Sequence, residues 1–368
     1  MLNRGSVLTL AVAALIGILP AMPAMAQNGA QGNRAAAAGA DTLPPALQAA
    51  IQSGNPGAVS QAIATLSGGN PQRTAALATS VVAAAERILK TNPQAAVQIA
   101  TVAVESIRTN AVAQSSPQQV TTVVTTAARI FVQPDAQRLA PDATANLATI
   151  SIQAAVTTSN PTLVASIANQ AVSSAEKILT TSPAAAVQVA ATAVQAVNTQ
   201  PVAQGAAQQS MQVATTAARI IVNPEAQRIA PQGVASIAVA TVQIVSNPAV
   251  YQSSPQAAIT VMDNSYKAAS SQTVAAAVPT ATQTVTRELV QASQNGNLAQ
   301  SNPTNATQVS EILTRSNNNP QQAAEQNNNQ NNNQNNNQNN NQNNNQKNNQ
   351  NNNQPIIPPF TPTTTSPT

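Results

Sequence analysis

Prolines divide the middle of this chain into segments that recur after ninety residues. Proline fits the first turn of a helix but disrupts its interior, so this spacing limits the chain to elements of about twenty residues or fewer. Within each unit the segments are 22, 24, 24 and 20 residues long. The recurring positions are Pro71, Pro93, Pro117, Pro134 and Pro141, followed by Pro161, Pro183, Ala207, Pro224 and Pro231.

One corner of the chain is written twice. "TTAARIFVQPDAQRLAP" spans 125–141 and "TTAARIIVNPEAQRIAP" spans 215–231, with thirteen of seventeen positions identical and the other four exchanged like for like. Self-similarity at a fixed period is typical of repeat architectures. We therefore predict two repeat units, 71–160 and 161–250.

The apolar spacing between prolines is helical. In 118–131, Val120, Val123, Val124 and Ala127 follow the i, i+3, i+4, i+7 pattern. A strand is the alternative for "VTTVVTT", but strict alternation fails at the paired threonines and valines. Most segments begin with Asn-Pro or Ser-Pro, where the first residue can cap the helix and proline can occupy its first position. The sequence predicts an all-α fold.

Alanine dominates the predicted helix interiors, and the segment 94–108 has only a narrow polar stripe. A helix that is apolar around most of its circumference is buried by neighbours on several sides. Alanine allows close approach of helix axes but buries little area per pair. We expect stability to accumulate along an Ala-rich helical repeat, either a solenoid or a tight antiparallel bundle.

Further helices are predicted on both sides of the repeats. Residues 43–70 should form an N-terminal cap of two short helices separated at Gly54-Asn55-Pro56. Residues 251–316 should form C-terminal helices near 256–277, 281–293 and 304–315, with less regular phasing.

The first 26 residues have the pattern of a secretory signal peptide. Arg4 precedes the apolar run "SVLTLAVAALIGIL", and Ala24-Met25-Ala26 provides a small-x-small cleavage site before Gln27. A membrane-spanning helix is the alternative, but the run is shorter than the roughly 20 residues needed. We predict cleavage, a flexible segment at 27–42, and no transmembrane segment in the mature chain.

A low-complexity tract and a proline-rich segment follow the predicted helices. Residues 317–354 are rich in asparagine and glutamine, and between Gln326 and Gln354 the one exception is Lys347. Such a tract has no apolar residues for a core, which predicts a disordered linker, although these side chains can also ladder into cross-β stacks. Residues 355–368, "PIIPPFTPTTTSPT", read as an extended docking segment.

Composition excludes several classes of function. Charged residues make up 7% of the chain and aromatic residues 1%, and histidine and cysteine are absent. Nucleic-acid binding requires basic clusters and stacking aromatics. Hydrolytic triads use a histidine base, no glycine-rich phosphate loop occurs, and the acidic residues are too scattered for a metal site. The sequence predicts a non-enzyme without cofactor or metal that does not bind nucleic acid.

The duplicated corner has two interpretations. As a joint between helices, it would pair Asp135 with Arg138, three residues apart, and their mates likewise. As a binding face, it would use recurring arginines to contact an anionic polymer, although repeated charges more often form a solvated face. The candidate residues are Arg129, Arg138, Arg219 and Arg228. Elsewhere, Glu86 with Lys90 and Glu311 with Arg315 have the i,i+4 spacing of intrahelical ion pairs.

These observations predict an exported structural or interaction scaffold of the bacterial envelope or extracellular matrix. We expect a periplasmic, cell-surface or extracellular location and a protein or matrix partner. The Asn/Gln tract would tether the chain or allow it to self-associate. The alternative is a secreted binding module for an apolar ligand, a peptide or a solid surface.

Overall fold

The computed structural model describes residues 43–317, with side chains to 315. This part of the chain contains twenty helices and no strand, which confirms the all-α prediction. The helices are α1 (Pro45–Gln52), α2 (Pro56–Ser67), α3 (Pro71–Ile88), α4 (Pro93–Ile107), α5 (Asn110–Ser115), α6 (Pro117–Phe131), α7 (Pro134–Leu139), α8 (Pro141–Val156), α9 (Pro161–Ile178), α10 (Pro183–Val197), α11 (Gln200–Gly205), α12 (Ala207–Ile221), α13 (Pro224–Ile229), α14 (Pro231–Val245), α15 (Pro248–Ser253), α16 (Pro255–Ala269), α17 (Gln272–Ala277), α18 (Thr280–Gln294), α19 (Gly296–Ser301) and α20 (Asn305–Asn317).

Four predicted segments lie outside the described residues. They are the signal peptide 1–26, the segment 27–42, the Asn/Gln tract beyond Asn317 and the segment 355–368. Within 43–317, no helix combines the length and apolar character needed to cross a membrane.

Long helices alternate with six-residue helices in steps of 24 residues. Long helices begin at residues 183, 207, 231 and 255, and six-residue helices begin at 200, 224, 248 and 272. The last two long helices, α18 and α20, continue with one extra residue per step. This regularity shows that the prediction of less regular phasing after residue 250 was wrong.

The structure also corrects the number of helices. The predicted helix 256–277 is divided at Ser270 and Ser271 into α16 and α17, and α19 was not predicted. Within the ninety-residue units, α5 and α11 were also missed. A six-residue helix spans less than two turns, so it gives almost no apolar periodicity in the sequence.

Each long helix from α10 to α16 contacts the next long helix and the one after it. For example, α10 contacts α12 and α14, and α12 contacts α14 and α16. The six-residue helices also contact one another two steps apart, in the series α11, α15 and α19. Each step therefore packs on the two that follow.

The buried helix predicted at 94–108 is confirmed. Helix α4 contacts α2, α3, α6, α7 and α8. Its buried side chains surround most of the helix and are Ala95, Ala96, Val97, Ile99, Ala100, Ala103, Val104 and Ile107. Alanine at four of these eight positions is what lets five neighbours approach one helix.

Asparagine caps the helices as predicted, but serine does not. The Asn70, Asn92 and Asn160 side chains each accept a hydrogen bond from the backbone N–H three residues ahead. Ser116 and Ser182 precede helices without capping them. The shorter serine side chain does not reach those N–H groups, and the Ser182 hydroxyl instead donates to Asp142 Oδ1 at 2.5 Å.

Candidate functional site

The two copies of the duplicated corner adopt the same local structure. Helix α6 ends at Phe131, the six-residue helix α7 begins at Pro134, and α8 begins at Pro141. The second copy does the same with α12, α13 and α14. The predicted joint between successive helices is confirmed in its bounds.

A buried glutamine holds the first corner. Gln137 Nε2 donates to the Phe131 carbonyl oxygen at 3.1 Å and lies 3.0 Å from Ser174 Oγ. Ser174 Oγ, on α9, donates to the same carbonyl at 3.0 Å. The last carbonyls of a helix have no partner within it. Here, side chains from α7 and α9 satisfy one of them and fix the angle at which α6 ends.

The second corner uses the equivalent glutamine. Gln227 Nε2 donates to the Ile221 carbonyl oxygen at 2.9 Å. The Asn223 side chain caps α13 through the N–H groups of Glu225 and Ala226. Sequence reasoning concentrated on the charged residues and missed these amides, although glutamine stands at the same place in both copies.

The first pair of candidate arginines joins long helices rather than facing solvent alone. Arg129 binds both carboxylate oxygens of Glu86 on α3, at 2.7 and 3.0 Å. Arg219 binds Glu176 on α9 in the same way, at 2.8 and 3.0 Å. The predicted pairing of Glu86 with Lys90 is wrong, because α3 ends at Ile88 and Lys90 lies beyond it.

These bidentate pairs shift the titration of their members. The Arg129 hydrogen bonds hold the pKa of Glu86 below its usual value, and partial burial opposes them. The pKa of Arg219 is raised by its hydrogen bonds to Glu176. The ion pairs therefore remain formed at neutral pH.

The other two candidate arginines pair within their own short helices, as predicted. Arg138 lies 3.4 Å from Asp135, and Arg228 lies 2.5 Å from Glu225. All four candidate arginines thus have a carboxylate partner, which lowers the positive potential available to an anionic polymer.

Each corner exposes one large apolar side chain beside the arginine. Leu139 is 54% exposed, and its mate Ile229 is 41% exposed. Scattered apolar residues are ordinary on a protein surface. These two, however, occur at the same position in both copies.

A groove opens between the C-terminal end of α8 and the start of α11. It has a volume of about 560 Å³. We call it the α8–α11 groove. Its larger apolar lining residues are Ile152, Val156, Pro161, Val164, Pro201 and Val202. Val156 is 48% exposed although it is apolar, so this surface is open rather than filled by a neighbouring helix.

The remaining lining is neutral and polar. Gln153 of α8 and Gln195 of α10 stand on two different helices of the groove. Among the described residues neither side chain has a hydrogen-bond partner, which leaves both amides available. No charged side chain lines the groove. The surface suits an uncharged apolar ligand that can also accept or donate hydrogen bonds.

The turn between α8 and α9 shapes one end of the groove. Ser159 has φ of +53°, a left-handed conformation that non-glycine residues rarely adopt. The residue ninety positions earlier is Gly69, with φ of +78°. Residues 157–160 connect the two helices directly, with no six-residue helix between them. The groove therefore lies where the alternation of long and short helices is interrupted.

A buried polar cluster fixes the far end of the described chain. Tyr251 OH donates to Asn305 Oδ1 at 2.9 Å and accepts from Asn302 Nδ2 at 3.1 Å. Asn305 Nδ2 in turn donates to the Ala292 carbonyl at 2.9 Å. Burial raises the pKa of the Tyr251 phenol. The cluster ties α15 to α18 and α20, a structural role.

Within residues 43–317, no three acidic side chains come close enough together to hold a metal ion. Comparisons with protein-family models, curated proteins and solved structures gave no match for this chain. The functional interpretation therefore rests on the geometry described above.

Proposed function

We propose that this protein is an exported, non-enzymatic scaffold of the bacterial envelope or extracellular matrix. Its body is an Ala-rich helical repeat, and its Asn/Gln tract tethers it or lets it self-associate. The observation that supports this most is the 24-residue alternation of long and six-residue helices, in which long helices pack on the next two. Such packing lets the length of the body grow by addition of equal steps.

The side-chain chemistry favours a structural role over catalysis. The hydrogen-bonded polar clusters at Gln137 and Tyr251 join helices to one another. The interhelical ion pairs do the same between α3 and α6 and between α9 and α12. Leu139 and Ile229 recur on the surface at a fixed interval, which provides repeated apolar contacts for a protein or matrix partner.

A second function, a binding module, is favoured by the α8–α11 groove. Small-molecule and peptide sites are concave, largely apolar and about 300–1,000 Å³ in volume. The groove meets these conditions and has two free amides to orient a ligand. An uncharged apolar ligand or a peptide would bind there.

The scaffold proposal is tested on the mature chain and on a matched control. In the control, Asn and Gln residues from 326 to 354 are replaced by Gly and Ser, which preserves the length of the tract. We expect the wild-type chain to form concentration-dependent assemblies in sedimentation analysis and to be retained in the envelope or matrix fraction of the producing cell. The control should lose assembly or retention while its circular dichroism is unchanged.

Identical sedimentation and identical fractionation of the two chains would contradict a role for the tract. A soluble monomer that saturably binds an apolar dye, with binding weakened by Val156→Lys, would favour the binding module instead. Leu139→Lys is the matched control for the dye experiment, since Leu139 is equally exposed and lies outside the groove.

A further inference from the structure

The α8–α11 groove lies at the end of a row of six-residue helices. Helix α19 contacts α15, and α15 contacts α11. Pro201 and Val202 of α11 form part of the groove lining. On the other side of the groove, α8 connects to α9 through residues 157–160 alone, so this part of the chain supplies no further short helix to cover α11. The groove is an unfilled place beside a regular row.

The short helices show what kind of segment covers such a surface. Their third residue is a buried apolar side chain in α5, α11, α15, α17 and α19, namely Val112, Val202, Val250, Val274 and Leu298. In α11 this residue follows glutamine and proline, in the sequence Gln-Pro-Val-Ala at 200–203. A covering segment is therefore short, uncharged and apolar next to a proline.

The chain contains one segment of this character beyond the described residues. Residues 354–360 read Gln-Pro-Ile-Ile-Pro-Pro-Phe, and Ile356, Ile357 and Phe360 are the large apolar residues after Leu313. Gln-Pro-Ile-Ile resembles Gln-Pro-Val-Ala of α11. The prolines at 358 and 359 disfavour a longer helix and predict an extended backbone with free carbonyl groups.

We propose that residues 355–360 occupy the α8–α11 groove of the same chain. Ile356, Ile357 and Phe360 contact the apolar lining, and the amides of Gln153 and Gln195 donate to backbone carbonyl groups of the segment. Neither the groove lining nor residues 355–360 contain a charged side chain, so no charge is desolvated. This proposal deepens the second function proposed above and rests on it.

The intervening chain has a suitable length. Helix α20 contacts α16, α16 contacts α14, and α14 contacts α10, which lines the groove. Three helix contacts of about 8–10 Å each span roughly 24–30 Å. The 37 residues 318–354, treated as a flexible linker, have a root-mean-square span of about 30–37 Å. A tether whose mean span matches the distance gives the highest effective concentration.

The absence of cysteine allows a direct test in the full mature chain by disulfide trapping. Thr361→Cys places a thiol next to the apolar segment. Thr199→Cys places the second thiol in the groove lining, and Asn198→Cys places it on the adjacent, equally exposed residue, whose side chain contacts Gln243 of α14 instead. The tether is the same in both pairs, so a difference in rate reports how the segment approaches.

We expect the Thr199 pair to form an intramolecular disulfide at least about tenfold faster than the Asn198 pair, because docking raises the local thiol concentration at one position. Replacing Ile356 and Ile357 by Asn in the tail should remove that difference. Val156→Lys in the groove should do the same, whereas Leu139→Lys should not.

Equal rates for the two cysteine pairs would overturn the proposal. So would disulfides that form mainly between chains, when labelled and unlabelled proteins are mixed, since the occupant would then be a second copy. If the rates are equal and the groove still binds an apolar dye in a Val156-dependent manner, the second function survives and docking of the segment alone is rejected.

Discussion

Substitution of Gln137 by methionine tests whether buried amides set the corner. Methionine has a similar length but no donor, so Gln137→Met removes the hydrogen bond to the Phe131 carbonyl and the contact with Ser174 Oγ. The side chain is buried, at 6% exposure. A net loss of about 0.5–1.5 kcal/mol for each of two hydrogen bonds gives a destabilisation of about 1–3 kcal/mol.

The adjacent arginine is the matched control. Arg138 is 73% exposed and pairs with Asp135 at 3.4 Å. An exposed ion pair of this kind contributes at most about 0.5–1 kcal/mol. Arg138→Ala should therefore change stability much less than Gln137→Met does, even though the two residues are neighbours.

Urea denaturation of the mature chain measures both effects. We expect Gln137→Met to lower the midpoint without changing the slope, which indicates lower stability rather than altered compactness. Ser174→Ala leaves Gln137 as the remaining side-chain donor to Phe131. The double variant leaves this carbonyl without either donor and should lose more stability than the two single changes combined. A neutral Gln137→Met, or a larger effect of Arg138→Ala, would refute the assignment.

Three further predictions concern packing, the far cluster and pH. Ala127→Leu and Ala217→Leu insert bulk at fully buried positions and should each destabilise the chain by about 1–3 kcal/mol in the same titration; neutral variants would mean that the helices can separate there. Tyr251→Phe leaves Asn305 Oδ1 without this donor and should cost about 1–3 kcal/mol, and an unchanged urea midpoint would contradict it. The pKa of Glu86 is lowered from 4.5 in the folded chain, so its stabilising contribution is complete above pH 4.5 and is lost as pH falls through the lower folded value. Glu86→Gln should flatten the melting temperature against pH below 4.5, and an unchanged slope would exclude this linkage.

The sequence predicts the long helices well because their signals are strong. Helix α6 shows apolar residues at helical spacing, and Pro117 and Pro141 mark the first positions of α6 and α8. The bounds of the duplicated corner follow from Pro134, which starts α7. In each case proline and apolar periodicity agree.

The short helices and the long-range contacts could not be predicted. Helices α5, α17 and α19 have no proline at the first position, and six residues are too few to show a period. Glu86 has Lys90 at a favourable spacing in the sequence, but its partner Arg129 is 43 residues away. Which partner wins depends on where α3 ends and on how it packs against α6.

The α8–α11 groove also has no local sequence signal. Its lining comes from four helices and the turn at 157–160, and the residues are ordinary apolar and amide side chains. The feature that locates it is an interruption of the 24-residue alternation between α8 and α9. That alternation becomes visible only when the short helices are known.

Hydrogen exchange of the mature chain tests the central claim most directly. If the body is a helical repeat in which each long helix packs on the next two, slowly exchanging amides should occur in the interior of every long helix from α3 to α18. Protection should be interrupted at the corners, at intervals of 24 residues from 183 onward, because amides at helix junctions open more readily than those in packed interiors. Continuous protection across residues 222–224, or a single protected block beside segments that exchange at unfolded rates, would contradict the repeat architecture.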